Sequence, residues 1–387
     1  MPFLMIAAVA VSLTGLSAQR LSMAWAMWTM THSSVWVASI AVSDLVSTLI
    51  TSGPAGAIID RADPAAIYRL SQVAACIQGL TLLTLVASGA VAPFWILVCS
   101  AWLGICTAFS LPARLSLIPL MVQRENYVRL VTLNSLASNG ASFLGPVIAG
   151  WLISNHGLQA AAAVVVAAYV PSTIMSPPVR TLADAMSARS THLPVDVQIR
   201  DGIAHLRHNP QLWILLSAFT TLALTARGIL SLGSAISETV LGGGVDTLAR
   251  LASFLAAGGL AGGLLASIRL MDQLTSISVT MSGAAIALLL YGVSPKEAIA
   301  LGGAFALGIF LSLNNIAVIS AIQLGVHPEY RGRLNSLYNI LLKAGPALGA
   351  LVFGCVSELI DIRAAVMLSA ISLLIVLRLL LRVKTSL

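Results

Sequence analysis

Twelve stretches of this chain, at roughly 3–31, 35–59, 66–88, 92–112, 127–154, 157–176, 212–237, 248–268, 273–293, 298–322, 333–357 and 362–382, are predominantly apolar. Each reaches the roughly 20 residues that an α-helix needs to cross the hydrocarbon core of a bilayer. Inside lipid every backbone N–H and C=O must find a partner within the protein, so only helices and closed barrels can span it. The runs are unbroken and rich in Ala, Leu and Gly rather than alternating, which selects helices. Composition agrees, because 58% of the 387 residues are hydrophobic and only 9% are charged. A soluble domain carries about 25% charged residues, so no water-soluble fold of this length could cover its surface. A disordered chain is excluded by the hydrophobicity, and a disulfide-built secreted scaffold by size and by the presence of only four cysteines. Cys76, Cys99, Cys106 and Cys355 sit inside apolar runs and behave as small hydrophobes. The first residues lack a positive leader and a cleavage site, and are read as a spanning helix rather than a signal peptide.

Connections between the runs are short except for residues 177–211, which hold four Arg, three Asp and three His. Within this linker, 197–208 can form an amphipathic helix lying on a membrane surface. Lys and Arg collect on one side when the N-terminus is placed in the cytoplasm. Arg61, Arg69, Arg114, Arg124, Arg129, Arg180, Arg189, Arg200, Arg207, Arg269, Arg331, Arg333, Arg378, Arg382 and Lys384 then lie inside, whereas only Arg250, Lys296 and Arg363 lie outside. Both termini are expected in the cytoplasm, in the inner (plasma) membrane. The net charge of +7 follows from this bias and from the anionic inner leaflet rather than from a nucleic-acid partner.

The two halves repeat one another. Arg20 and Arg227 are 207 residues apart, as are Gly56 and Gly263, each near the end of the second span of its half. Leu133-Asn134-Ser135-Leu136 recurs as Leu334-Asn335-Ser336-Leu337, and Gly145-Pro146 as Gly345-Pro346. Several matches in one order argue for a duplicated six-helix unit with a site at the membrane midplane. The expected fold is an all-α membrane protein with twelve transmembrane helices in two pseudo-symmetric six-helix bundles, residues 1–176 and 212–387, joined by the cytoplasmic linker 177–211.

These residues resemble the major facilitator superfamily over nearly the whole chain. Gly53-Pro-Ala-Gly56-Ala-Ile-Ile-Asp60-Arg61, with Arg69 downstream, resembles the family's loop 2–3 motif. Pro112-Ala113-Arg114, Asn134-Ser135-Leu136 and the stretch from Ile199 to Pro210 resemble the branch that contains enterobactin and macrolide exporters. Gly140 and Gly145-Pro146 resemble the Gly-Pro motif associated with antiporters. Two positions depart from the pattern: Asp63 stands where the family favours glycine, and Ser267 replaces the acid in the second copy. The resemblance implies a cytoplasmic gate formed by Gly53, Gly56, Asp60, Arg61, Arg69 and Arg114. The two glycines would permit close helix approach, and Asp60 would latch onto a helix N-terminus or a neighbouring arginine. Gly145, Pro146, Gly345 and Pro346 are helix-bending positions.

Charges inside the spans carry the mechanistic reading, because a charge at mid-bilayer costs at least about 2.5–3.5 kcal/mol and needs a partner or water. Arg20 and Asp44 lie at matching depths in the first and second spans, which predicts an ion pair. Burial favours a neutral carboxylic acid and a guanidinium favours the carboxylate, so separating this pair would let Asp44 take a proton. Asp44 and Arg20 are therefore the proton-coupling candidates. Arg20 and Arg227 are also candidates to clamp an anion, with Lys343, Asn314, Asn315 and Asn139 as further substrate contacts. Interhelical hydrogen bonding is the competing role for the three asparagines. Trp36, Trp95 and Trp213 read as interfacial anchors. No phosphate-binding Gly-Lys-Ser/Thr loop, nucleophile–base pair or metal-ligand cluster is evident, so neither an enzyme nor a cofactor is expected.

The sequence thus predicts a secondary transporter that exports a small amphiphilic organic molecule, a siderophore or drug-like compound of anionic character in one form of the reading, by proton antiport. It is expected to act as a monomer on a small-molecule substrate and protons within membrane lipid. Siderophore export or drug resistance is the role this implies. The alternatives are proton-coupled uptake of an organic anion, and a non-transporting membrane scaffold or sensor.

Overall fold

The structure is a computed structural model and describes residues 2–121, 127–175, 210–268, 273–326 and 328–385. The linker 177–211 and its amphipathic stretch 197–208 lie outside the described residues, apart from the last two positions of that span. The side chains of Asp60, Arg61, Asn139 and Ser267 are likewise outside what is described.

The first part of the chain forms α1 (Pro2–Thr31), α2 (Ser34–Arg61), α3 (Pro64–Ala87), α4 (Pro93–Met121) and the long α5 (Tyr127–Ile174). Asp63 explains its own departure from the family pattern, because its carboxylate accepts the Ala65 N–H at 2.9 Å and caps α3 ahead of Pro64. An Asp cap followed by Pro at the first helical position is a strong helix start. Within α5 the backbone leaves helical geometry at Gly157 (φ 80°, ψ 173°). Two spans therefore meet there without an intervening loop.

The second part forms α6 (Pro210–Leu224), α7 (Ala226–Leu230), α8 (Gly233–Ala235) and a π-helical turn over Ile236–Val240. It continues with α9 (Val245–Ile268), α10 (Gln273–Gly292), α11 (Glu297–Gly325), α12 (Pro328–Leu359) and α13 (Ile362–Thr385). Ten of the described helices are long and apolar enough to cross a membrane, and one of them, Gly140–Ile174, holds two crossings either side of Gly157. With the shorter apolar helix Ile277–Gly292 this makes twelve spans. The seventh differs from the continuous helix expected over 212–237. Thr220, Thr221 and Thr225 turn their hydroxyls back onto carbonyls four residues earlier, at 2.6 to 2.8 Å. Such back-bonding bends helices, and here the segment breaks up before the π turn, a form that recurs at functional sites.

The chain forms two compact units, Met1–Thr31 with Val42–His192, and His32–Ala41 with Leu193–Leu387. In the first, α1 runs along α5 and α3 packs on α4 and α5. In the second, α6 and α7 run along α12, while α11 packs on α9 and α10. The pseudo-symmetry is visible in one pair of glycines. A Cβ at Gly145 would lie 2.5 Å from Ser17 Cβ and 2.7 Å from the Thr14 carbonyl oxygen, and one at Gly345 would lie 2.5 Å from Ala223 Cβ. Each repeat thus uses the glycine of its Gly-Pro pair to bring its fifth span against its first.

The second unit also holds the start of α2. Glu358 accepts hydrogen bonds from the Ser33 hydroxyl and, at 3.1 Å, from the Val35 N–H, while the Ser34 and Ser357 hydroxyls lie 3.0 Å apart. His32, with φ of 46°, lies 3.6 Å from Glu238.

Candidate functional site

In the first unit α1 and α2 bring Arg20 and Asp44 together, with Nη2 and Oδ2 3.4 Å apart. Half of the Arg20 side chain is accessible (51%), against 24% for Asp44. The two carboxylate oxygens differ. Oδ2 faces the guanidinium, whereas Oδ1 is buried with no hydrogen-bond partner among the described residues. Gly104 in α4 makes that burial possible, since a Cβ there would sit 2.7 Å from the Asp44 carbonyl oxygen and 3.0 Å from Oδ1. A buried carboxylate oxygen without a donor is costly.

Next to Arg20 lies a polar set that the sequence reading missed. The buried Gln19 donates to Gln78 Oε1 at 2.5 Å and accepts the Tyr169 hydroxyl at 2.7 Å. This ties α1 to α3 and to the second arm of α5, and fixes the rotation of the helix that carries Arg20. Its signal in the sequence was three polar side chains inside otherwise apolar spans, none of them charged.

In the second unit Arg227 opens α7 and is half-buried, with no ion pair among the described residues. It lies within electrostatic reach of Tyr338. The Tyr338 hydroxyl donates to Asn315 Oδ1, and its ring packs on Phe219 with centroids 4.9 Å apart. Asn314 is buried, and its Nδ2 has no hydrogen-bond partner among the described residues. Lys343 lies on α12, one and a half turns beyond Tyr338. Of the substrate-contact candidates, the structure therefore joins Asn315 to Tyr338, a residue the sequence reading did not single out.

At the gate candidates, among the described residues, a Cβ on Gly53 or Gly56 meets no atom of a neighbour within 4 Å. Arg114 is buried within reach of Tyr68, and Arg69 makes a contact of its own. Pro146 and Pro346 lie inside α5 and α12. Trp36, Trp95 and Trp213 are all exposed.

Two pseudo-symmetric six-helix bundles with charged side chains inside the spans define a membrane transporter. The sequence profile of the Major Facilitator Superfamily matches residues 4–350, and the chain belongs to that family. It is 26% identical to a macrolide efflux protein A of Streptococcus pyogenes, over 82% of this chain and 80% of that protein. It is also 26% identical to one of Enterococcus faecalis, over 77% and 94% respectively. Among solved structures, a bacterial homologue of the human lysosomal transporter Spinster, in an inward-facing and unoccupied conformation, superposes with a TM-score of 0.74. That likeness covers 97% of this chain and 95% of the other at 15% identity, and so speaks to the fold alone.

Proposed function

We propose that this transporter exports a small amphiphilic organic molecule across the inner membrane by proton antiport, with both termini in the cytoplasm. In this reading residues 1–176 and 212–387 are the two moving bundles, 177–211 is the cytoplasmic linker, and a single chain suffices. Asp44 is the proton carrier and Arg20 its counter-charge. Arg227, Lys343, Asn314, Asn315 and Asn139, with Arg20, contact the substrate. Gly53, Gly56, Asp60, Arg61, Arg69 and Arg114 form the cytoplasmic gate, whose glycines meet a neighbour only in the state that closes that side. Gly145, Pro146, Gly345 and Pro346 let the fifth and eleventh spans bend. A siderophore or a drug-like compound fits the substrate class, and the efflux function in the relatives' names supports the direction.

One observation carries the coupling: the 3.4 Å Arg20–Asp44 contact beside a buried, partnerless Oδ1. Pulling Arg20 away leaves a desolvated carboxylate that binds a proton, and restoring it expels the proton. A second reading draws on the same contact. An anionic substrate that engages Arg20 frees Asp44 to protonate, so proton and anion would travel together as uptake.

Everted membrane vesicles carrying the protein decide between the two. With an imposed proton gradient, acid inside, addition of a transported macrolide or catecholate siderophore should release protons, read as recovery of a quenched pH-sensitive dye. Asp44→Asn should abolish that recovery. Recovery that persists in Asp44→Asn refutes the coupling role, and gradient-driven accumulation in right-side-out vesicles establishes uptake instead.

A further inference from the structure

We infer that the compound carried is an organic anion, and that Arg227, positioned by Tyr338 and Asn315, is the group that recognises its charge. The inference rests on the transport reading above and narrows it to one charge class.

In the second unit the spans Leu212–Leu230, Ile277–Gly292 and Ile362–Arg382 contain no acid. In Val245–Ala266, Glu297–Gln323 and Leu334–Leu359 the acids are Asp246, Glu297 and Glu358, each within two positions of a span end. Two of these are already engaged, Glu297 by Arg250 at 2.7 Å and Glu358 by Ser33 and the Val35 N–H. Glu238, in the π turn that closes the seventh span, lies 3.6 Å from His32, so a cationic compound held deeper within these spans would find no counter-charge there. Of the basic residues, Lys343 lies nine positions into Leu334–Leu359, and Arg227 lies three positions before the end of Leu212–Leu230, beyond which the seventh span continues through α8 and the π turn.

Arg227 is also built to bind. No carboxylate pairs with it among the described residues, so its charge is not neutralised. Close packing brings its helix to α12, since a Cβ at Gly228 would lie 2.8 Å from Gly349 Cα. Near it is the phenol oxygen of Tyr338, whose proton is committed to Asn315. Its oxygen keeps lone pairs that a guanidinium can donate to, and Phe219 packs against the ring that carries it. A neutral acceptor orients the guanidinium without cancelling its charge. Most of the five N–H donors of an arginine remain available, in a fork that matches the two oxygens of a carboxylate or of a phosphonate or sulfonate. Tyr338 and Asn315 are positioning residues here, because they act on the anion through Arg227.

The test uses purified full-length protein in detergent and a set of probes sharing one ring: benzoate, phenylphosphonate, benzenesulfonate, the neutral benzamide and the cation benzyltrimethylammonium. Binding is read by titration calorimetry and by the shift in melting temperature. The anions should bind and stabilise, and their relative affinities show which oxyanion the fork prefers. Arg227→Gln should weaken anion binding roughly tenfold or more, and Arg227→Lys should restore part of it as a point charge without the fork. Tyr338→Phe should weaken it roughly threefold to tenfold, with a lower ligand-free melting temperature because the Asn315 hydrogen bond is lost as well. Benzamide or the cation binding as tightly as benzoate overturns the inference. So does anion binding that survives in both Arg227 variants undiminished, or no binding of any anion at millimolar concentration. In the everted-vesicle assay, proton release by a cationic compound and by no anion would sink this inference while leaving proton antiport intact. Anion binding lost in Arg227→Gln but without proton movement would do the reverse.

Discussion

Two sets of glycines that look alike in the sequence should respond in opposite ways to alanine. At Gly145 the new Cβ lies 2.5 Å from Ser17 Cβ, 2.7 Å from the Thr14 carbonyl oxygen and 2.9 Å from the Ala18 nitrogen. Carbon atoms rest at about 3.5–4.0 Å, so α1 and α5 must part by about 1 Å, and two of the three clashing atoms are backbone that no rotamer change can move. Overpacking of this kind costs about 1–3 kcal/mol, and the gain in helix propensity on replacing Gly by Ala offsets about 0.5–1 kcal/mol. The net loss is up to about 2.5 kcal/mol, and each kcal/mol lowers the melting temperature of a unit of this size by roughly 2–4 °C. Gly345→Ala should behave likewise through Ala223. At Gly56 the Cβ meets nothing within 4 Å among the described residues, so only the propensity gain remains and the melting temperature should hold or rise; at Gly53 that gain is opposed by the ring of Pro54, which crowds a helical Cβ before it. If these two glycines serve a gate that closes in another state, their alanine variants should nonetheless transport more slowly. The assay pairs intrinsic tryptophan fluorescence melts of detergent-purified protein with vesicle transport rates. A Gly145→Ala protein that melts at or above the wild type refutes the packing argument. A Gly56→Ala protein that transports at the full rate refutes the gate.

Three further outcomes are expected. Asp44→Asn should keep substrate exchange across vesicles at zero gradient while losing uphill transport, since the amide cannot carry the proton; loss of exchange as well would assign Asp44 to binding. Gln19→Leu leaves the Tyr169 hydroxyl and Gln78 without their partner, and should lower stability by about 1–3 kcal/mol in a melt; an unchanged melt would mean the buried amides find other partners. Arg250→Gln, which breaks a 2.7 Å pair exposed by 52% and 37%, should change the melt by no more than about 1 kcal/mol.

Much of the architecture was legible because lipid enforces it. Apolar runs long enough to cross the bilayer have one backbone solution, so the twelve spans and the pairing of Arg20 with Asp44 followed from length, depth and charge. The division between the spans read at 127–154 and 157–176 meets the backbone break at Gly157, but the sequence pattern did not reveal how the seventh span breaks up, because Thr225 and Gly233 differ from other small residues in spans only through their neighbours. Among the described residues a Cβ on Gly53 or Gly56 meets nothing within 4 Å. Tyr338 escaped notice for a related reason. An aromatic at helical spacing reads as packing, and only the direction of its hydroxyl toward Asn315, with Arg227 beside it, gives it a second role.

The knot of Gln19, Gln78 and Tyr169 has a consequence for how this chain is made. Gln19 emerges from the ribosome early, but its Tyr169 partner follows 150 residues later. Until then an amide in the leading helix is only partly matched, so that helix has reason to linger beside the insertion machinery rather than drift into open bilayer. The first half should lock only when its sixth crossing arrives, and nascent chains arrested before residue 169 should stay protease-sensitive where slightly longer ones do not.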